Sequence, residues 1–557
     1  MKMLKRLHNP KYSGWNWIKN HSFKIIRNGL QWLRQHIDAS RTNMLLITLA
    51  AGLLVVYLPK TIVYFRCYTR PYITFESDFT QVFHLSDTVP TLEYSVGESR
   101  WKPLATQNIV FGGERGKLLL RGESNNGTIF FKDTIHKIAI GATISFASNA
   151  EVICTGDIRT LVDYKHYDKA ETSKARFDGL FKNCKQLVVA PELPSLVLAD
   201  RCYFGMFWGC TSLEYPPELP AENLSKRCYS NMFFRCTSLK KAPILSADTL
   251  AEFCYTNMFN GCTSLEKAPE LPAKRLAKWC YAGMFDGCTS LIIAPELPAY
   301  TLAEKCYLDM FNDCTSLTYS PKLPARNMAN HCYKGMFSGC TSLEFYPELP
   351  SENLTENCYQ KMFSNCTSLE YAPKLPAKCL FKSCYESMFF GCTSLKEVPE
   401  LSAENLADWC CFRMFSNCSS LENAPTLSAK NLALGCYTEM FSGCISLKNA
   451  PELPVENLAI NCYSDMFSNC TSLEYAPVLP AKNLTEACYW GIFSNCTLLS
   501  NIKMLATNID AKDCLKDWLK GAAARGTFRK NKDAHWENEN IVPQGWTVEL
   551  INPNEEN

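Results

Sequence analysis

One spacing dominates the chain: cysteines recur every 26 residues from Cys202 to Cys514. A second column runs in the same step from Cys184 to Cys496. Each column holds thirteen, so the two account for 26 of the 30 cysteines, and only Cys67, Cys154, Cys379 and Cys411 lie outside. No insertion interrupts the array. A period this strict makes each unit a neighbour only of the next, which is a solenoid and not a single closed core. The length of 557 residues, far beyond one ordinary core, agrees.

One unit reads CYTNMFNGCTSLEKAPELPAKRLAKW from Cys254. Leu250, Cys254, Met258 and Cys262 stand four apart, with Phe259 beside them, which predicts one face of a helix of about three turns. Thr263 and Ser264 are poor helix residues and suit an exit turn. Leu265 to Leu271 is too short for a helix and predicts a short strand, with Pro272 closing it. The expected fold is an α/β solenoid of leucine-rich-repeat type, one short helix and one short strand per turn. Parallel strands about 4.8 Å apart would make thirteen turns roughly 60 Å long. A proline within the strand segment, such as Pro269 or Pro373, is expected to break or bulge the ladder at each turn.

The cysteines admit three readings. Within a unit they are eight apart, about 12 Å along a helix, too far for a disulfide. Column mates stack about 4.8 Å apart with parallel side chains, a Cβ separation longer than disulfides favour. Free cysteine packs well as a small apolar residue. A buried thiol column is therefore favoured over a disulfide framework, and metal binding is disfavoured because no CxxC pair or histidine partner accompanies the cysteines.

The stretch MFSGCTSLEFYPELPSENLTENCYQKMFSNCTSLEYAPKLPA resembles the BspA-like leucine-rich repeat proteins of bacterial surfaces, in a 26-residue variant. The likeness covers residues 176–514. It implies an extracellular protein or glycan ligand, through host or matrix binding or contact between cells. The segments KDWLKGAAARGTFRKN and IVPQGWTVEL resemble the tail that ends many such proteins.

Residues 1–43 are basic, with nine lysines and arginines against the single acid Asp38. Within this leader Ile26, Leu30, Leu33 and Ile37 recur at helical spacing near Trp15, Trp17 and Trp32, a candidate amphipathic helix on a membrane surface. Residues 44–65 form a mostly apolar stretch of 22 residues, about 33 Å as a helix, which predicts a transmembrane signal anchor. The basic excess before it places the leader in the cytoplasm and the repeats outside, at the cell surface or in the periplasm. A cleaved signal peptide is the alternative; the long leader and the missing small-residue cleavage site weigh against it. Residues 71–165 alternate apolar and polar, as in TLEYSV and KLLLRG, and predict a small β domain that caps the array. Residues 176–514 hold the repeats, and residues 515–557 read as a C-terminal cap.

Net charge is +2 with 20% charged residues, which gives no reason to expect nucleic acid as a partner. No paired acid and base, phosphate loop, zincin helix or nucleophile elbow is present in the sequence, so no enzyme, cofactor or metal is expected. Function should lie on the surface of the array. In a leucine-rich unit the residue just before the second inward strand position points outward. That column runs from Val189 to Tyr475 and includes Tyr215, Ile293, Tyr319, Phe345, Tyr371 and Tyr475. These six are the candidate ligand-binding residues, aromatic side chains being common interface anchors. The alternative is that they shield neighbouring strands or pack on loops. A surface-displayed adhesion protein and a stiff envelope spacer are the two readings carried forward.

Overall fold

The computed structural model describes residues 72–552 except 98, 106–107, 132–138 and 537–540. The leader and the apolar stretch at 44–65 lie outside the described residues. Among the described residues no helix is long and apolar enough to cross a membrane.

The helix expected in each unit is not there; the described residues contain no α-helix. A spiral of tight turns with a period of four takes its place. In the unit of Cys254, Phe253, Asn257 and Gly261 all have positive φ, at 58°, 51° and 72°. A left-handed residue at every fourth position stops an α-helix from propagating. The amides then alternate in direction. Thr256, Met258, Asn260 and Cys262 donate to carbonyls three residues back, at 3.0–3.3 Å. Tyr255, Asn257, Phe259 and Gly261 donate instead to Cys280, Ala282, Met284 and Asp286 of the following unit, at 2.7–3.0 Å. Every amide in the run is satisfied, half of them by the neighbouring unit.

A period of four keeps the same residues facing inward. Cysteine, tyrosine, methionine, phenylalanine and cysteine, as in Cys254, Tyr255, Met258, Phe259 and Cys262, are all buried in successive units. Their stacking builds ladders along the axis. Phenylalanine rings from Phe181 to Phe493 stack at 5.5–5.7 Å without a gap. Tyrosine rings from Tyr203 to Tyr385 stack at 5.7–6.1 Å. The tyrosine ladder is interrupted at Cys411, which stands where the ring would be, and resumes at Tyr437.

The cysteines of the two columns form no disulfide with one another, and of the described cysteines all but Cys379 are buried. In the second column each thiol from Cys210 to Cys496 donates to a phenylalanine carbonyl of the preceding unit, as Cys262 does to Phe233 and Cys366 to Phe337, at 3.0 and 3.1 Å, whereas Cys184 donates to the Ile144 carbonyl. Burial pushes Cys262, Cys280, Cys392 and Cys444 up to about 12. A protonated, inaccessible thiol neither attacks a disulfide nor reacts with reagents. Native protein should therefore yield at most two reactive thiols to Ellman's reagent, Cys379 and Cys67, the latter outside the described residues. Denatured protein should yield all thirty. A denatured count far below thirty would replace the thiol columns by disulfides.

The expected strand per unit is also reduced. Parallel pairing between units shrinks to single-residue bridges, such as Lys241 with Lys267 and Ile293 with Tyr319. A second series of bridges joins positions such as Asn327, Asn353, Cys379 and Asn405. Proline at the column of Pro269 and Pro373 lacks the N–H that would extend each ladder. Where that column reads Lys503 instead, a four-residue strand forms over Asn501–Met504.

Among the described residues the N-terminal region has ten strands: β1 (Ile73–Glu76), β2 (Gln81–Leu85), β3 (Leu92–Val96), β4 (Lys102–Pro103), β5 (Ile109–Phe111), β6 (Leu118–Gly122), β7 (Ile129–Phe131), β8 (Ala139–Gly141), β9 (Ile144–Phe146) and β10 (Val152–Thr155). β11 (Leu187–Val189) belongs to the first unit and pairs parallel with β10, so the sheet of β10, β1, β6, β3 and β4 runs into the array. At the other end β12 (Asn501–Met504), β13 (Gly526–Asn531) and β14 (Trp546–Ile551) form a parallel sheet, joined to the last unit through Leu479 and Met504. One continuous hydrophobic core runs from Ile73 to Trp546.

The turn spiral also holds half-buried acids. Burial, reinforced by the charge of Asp286, pushes Asp309 up to about 6. The folded value lies above the usual 3.8, so folding favours the neutral acid. Its contribution is complete below about pH 4 and is lost as pH rises through about 6. The full shift corresponds to about 3 kcal/mol, and partial exposure reduces it to about 1–2 kcal/mol. Asp309→Asn should stabilise the chain by about that amount at pH 8 in urea unfolding and flatten its stability between pH 4 and 6. Equal slopes in the two proteins would refute this.

Candidate ligand-binding face

In the segment after each second cysteine, leucine turns inward and the next two residues turn outward. Leu265 is fully buried, Glu266 and Lys267 are exposed, and Ala268 is buried. Two parallel columns of exposed side chains therefore run along the axis, one at 240, 266, 292 and onward, the other at 241, 267, 293 and onward. The six candidate residues all lie in the second column. Tyr215, Ile293, Tyr319, Phe345, Tyr371 and Tyr475 are 44–64% exposed.

The structure does not distribute these six evenly. Ile293, Tyr319, Phe345 and Tyr371 occupy four successive units, and bridges join Ile293 to Tyr319 and Tyr319 to Phe345. Tyr319 and Phe345 stack at 4.7 Å with planes 6° apart. Ile292, 53% exposed in the first column, widens the strip. Tyr215 and Tyr475 stand apart, separated from it by Lys241 and Lys267 at one end and by Glu397, Asn423 and Asn449 at the other. Ile292 was readable from the sequence, because its column otherwise carries charged or polar residues through most of the array.

Hydrogen bonds between units fix the backbone beneath the strip. Thr318 N–H donates to the Ile292 carbonyl at 3.0 Å, Phe345 N–H to the Thr318 carbonyl at 3.2 Å, and Ser320 N–H to the Phe345 carbonyl at 3.1 Å. Apolar side chains are thus held on a paired, preformed backbone. Beside them Lys396 pairs with Glu370 at 3.1 Å. Among the described residues no cluster of histidine, cysteine and carboxylate is arranged to hold a metal. The face offers apolar contact and charge.

No curated protein matches the chain. The family model described as BspA type leucine rich repeat region matches residues 304–448 and 411–514, in six copies. The matched stretch includes Tyr319, Phe345, Tyr371 and Tyr475. Residues 304–514 are thus similar to leucine-rich repeats of the BspA type.

Proposed function

We propose that the chain is a non-catalytic binding protein displayed outside the cytoplasm, holding a ligand on the strip from Ile292 to Tyr371. The observation that carries the reading is the contiguity of the apolar side chains. Five large apolar groups, each 47–62% exposed, occupy four neighbouring units of an otherwise charged or polar face. Isolated exposed apolar residues need no explanation, whereas a contiguous patch marks an interaction surface. Repeats of the BspA type fit a surface or protein-binding role. The apolar centre of the strip favours a protein or glycan ligand over nucleic acid.

The test is a binding screen of the full chain against extracellular proteins and glycans, run beside the Tyr319→Ser/Phe345→Ser variant. Both residues are exposed, so the fold should be retained, as far-UV circular dichroism would verify. Ligands held by the native chain should be lost by the variant. A native chain that binds nothing in the screen would support the spacer reading, in which the array serves only as a stiff rod.

A further inference from the structure

The two ends of the apolar strip carry opposite charge. In the two units before it, the exposed columns hold Lys240, Lys241 and Lys267 with the single acid Glu266. Among the described residues no carboxylate is paired with any of these three lysines. Toward the other end stand Glu344 beside Phe345, Glu370 beside Tyr371 and, one unit beyond, Glu397. Among the described residues only Glu370 of these three has a cationic partner, Lys396, which stands next to Glu397. The strip is thus graded along the axis: cationic, then apolar, then anionic.

The rings at its centre limit what it can hold. Tyr319 and Phe345 lie face to face at 4.7 Å, so each covers a face of the other and presents its edge outward. Sugar rings dock against open aromatic faces, and here one face of each of these two rings is taken by the other. Ring edges and isoleucine methyl groups instead suit aliphatic side chains. From Lys241 to Glu397 the strip crosses six unit steps of about 4.8 Å, or about 29 Å. An extended peptide of about nine residues covers that distance.

We infer that the strip binds an extended peptide segment of a partner protein, acidic at one end, aliphatic in the middle and basic at the other. The inference rests on the reading of this strip as the binding face and adds the chemistry of its partner. Acidic side chains of the segment meet Lys240, Lys241 and Lys267. Its aliphatic side chains lie on Ile292, Ile293, Tyr319, Phe345 and Tyr371, and its basic side chains meet Glu344 and Glu397. Opposite grading fixes the direction of the segment and excludes uniformly charged competitors.

The experiment uses the full chain and fluorescein-labelled ten-residue peptides, read by anisotropy. The graded peptide has three aspartates, four alternating leucines and valines, and three lysines. The comparison peptides have the same composition with charges mixed at both ends, or lysines at both ends. The graded peptide should bind at least tenfold more tightly than either. Lys240→Glu/Lys241→Glu/Lys267→Glu should weaken it at least tenfold and turn preference to the peptide with lysines at both ends. Equal binding of graded and mixed peptides, or no effect of the charge reversal, would overturn the inference. Association of the chain with itself, seen by sedimentation without peptide and lost in Tyr319→Ser/Phe345→Ser, would also overturn it, because a second copy would then occupy the strip. A screened glycan lost in that same variant but held by the charge-reversed chain would sink the peptide segment while leaving the binding face intact. Loss of neither peptide nor screened ligand in Tyr319→Ser/Phe345→Ser would sink both.

Discussion

Phe337→Ala should destabilise the array by about 4 kcal/mol and divide its unfolding into two steps. Phe337 is fully buried and stacks on Phe311 and Phe363, both at 5.7 Å. Removing a buried ring costs about 3–5 kcal/mol, and each aromatic stack lost accounts for about 0.5–1.5 kcal/mol of specific interaction. In a linear array such a loss weakens the coupling between the units on either side. Tryptophans provide reporters in both halves: Trp208 and Trp279 before the lesion, Trp490 and Trp518 after it. Urea titrations should show coincident transitions for the native chain and separated ones for the variant. Phe493→Ala makes the control, since that ring ends the phenylalanine ladder and stacks only on Phe467 among the described phenylalanines. It should cost less and leave the transitions together. A smaller loss for Phe337→Ala than for Phe493→Ala would show that the ladder does not carry the cooperativity.

Gly156→Ala should be the most damaging single change at the N-terminal junction, costing at least about 3 kcal/mol. Gly156 has φ of 93°, a region that residues with a side chain rarely enter. A methyl group there would lie 2.0 Å from the carbonyl oxygen of Tyr72 and 2.7 Å from its carbon. Backbone cannot swing aside as the end of a side chain can. The Gly156 carbonyl also accepts from Glu192 N–H at 2.8 Å, and Ile158 N–H donates to the Glu192 carbonyl at 3.1 Å. Displacing this segment therefore loosens the β region from the first unit. Proteolysis should cut the variant between residues 157 and 200 at concentrations that leave the native chain whole. An uncut variant of native stability would show that the junction tolerates the displacement. The result would differ at Gly283, where the obstructing atom is the side-chain oxygen of Asn257, 2.1 Å from the added carbon. There Asn257→Ala should recover part of the loss.

The solenoid and the outward column of Ile293, Tyr319, Phe345 and Tyr371 were legible because both follow from spacing alone. An uninterrupted period fixes which residues stack, whatever the local conformation. The helix was misread because a period of four imitates 3.6 over two or three turns. Composition held the missing signal: glycine, asparagine or aspartate precedes every second-column cysteine except Cys236, which follows Arg235. Those are the residues that tolerate positive φ. The column before the first cysteine hides the same conformation, since Phe253, Trp279 and Lys305 occupy it at 56–59°. Bonds to the following unit hold these residues there, and such bonds have no local trace in sequence. The weakening of the strand, by contrast, could be read from Pro269 and Pro373, because a missing donor is a property of the residue itself.

The alternating amides of the turn spiral give the array a polarity. Along that face every axial N–H points toward the C-terminal end and every axial carbonyl toward the N-terminal end. The aligned peptide dipoles place the positive pole at the last unit, the reverse of an α-helix. Its left-handed positions there are Asp513, Asp517 and Gly521, the first two being acids at the pole that attracts them. The first unit presents carbonyls instead and requires donors. The N-terminal β region supplies them: Thr128 N–H reaches the Arg176 carbonyl at 3.0 Å, and Ile144 N–H the Leu180 carbonyl at 2.7 Å. The two caps are therefore not interchangeable. A shortened array grafted onto the wrong cap would meet carbonyl with carbonyl or amide with amide, so units can be deleted from the middle of this protein more safely than its ends can be exchanged.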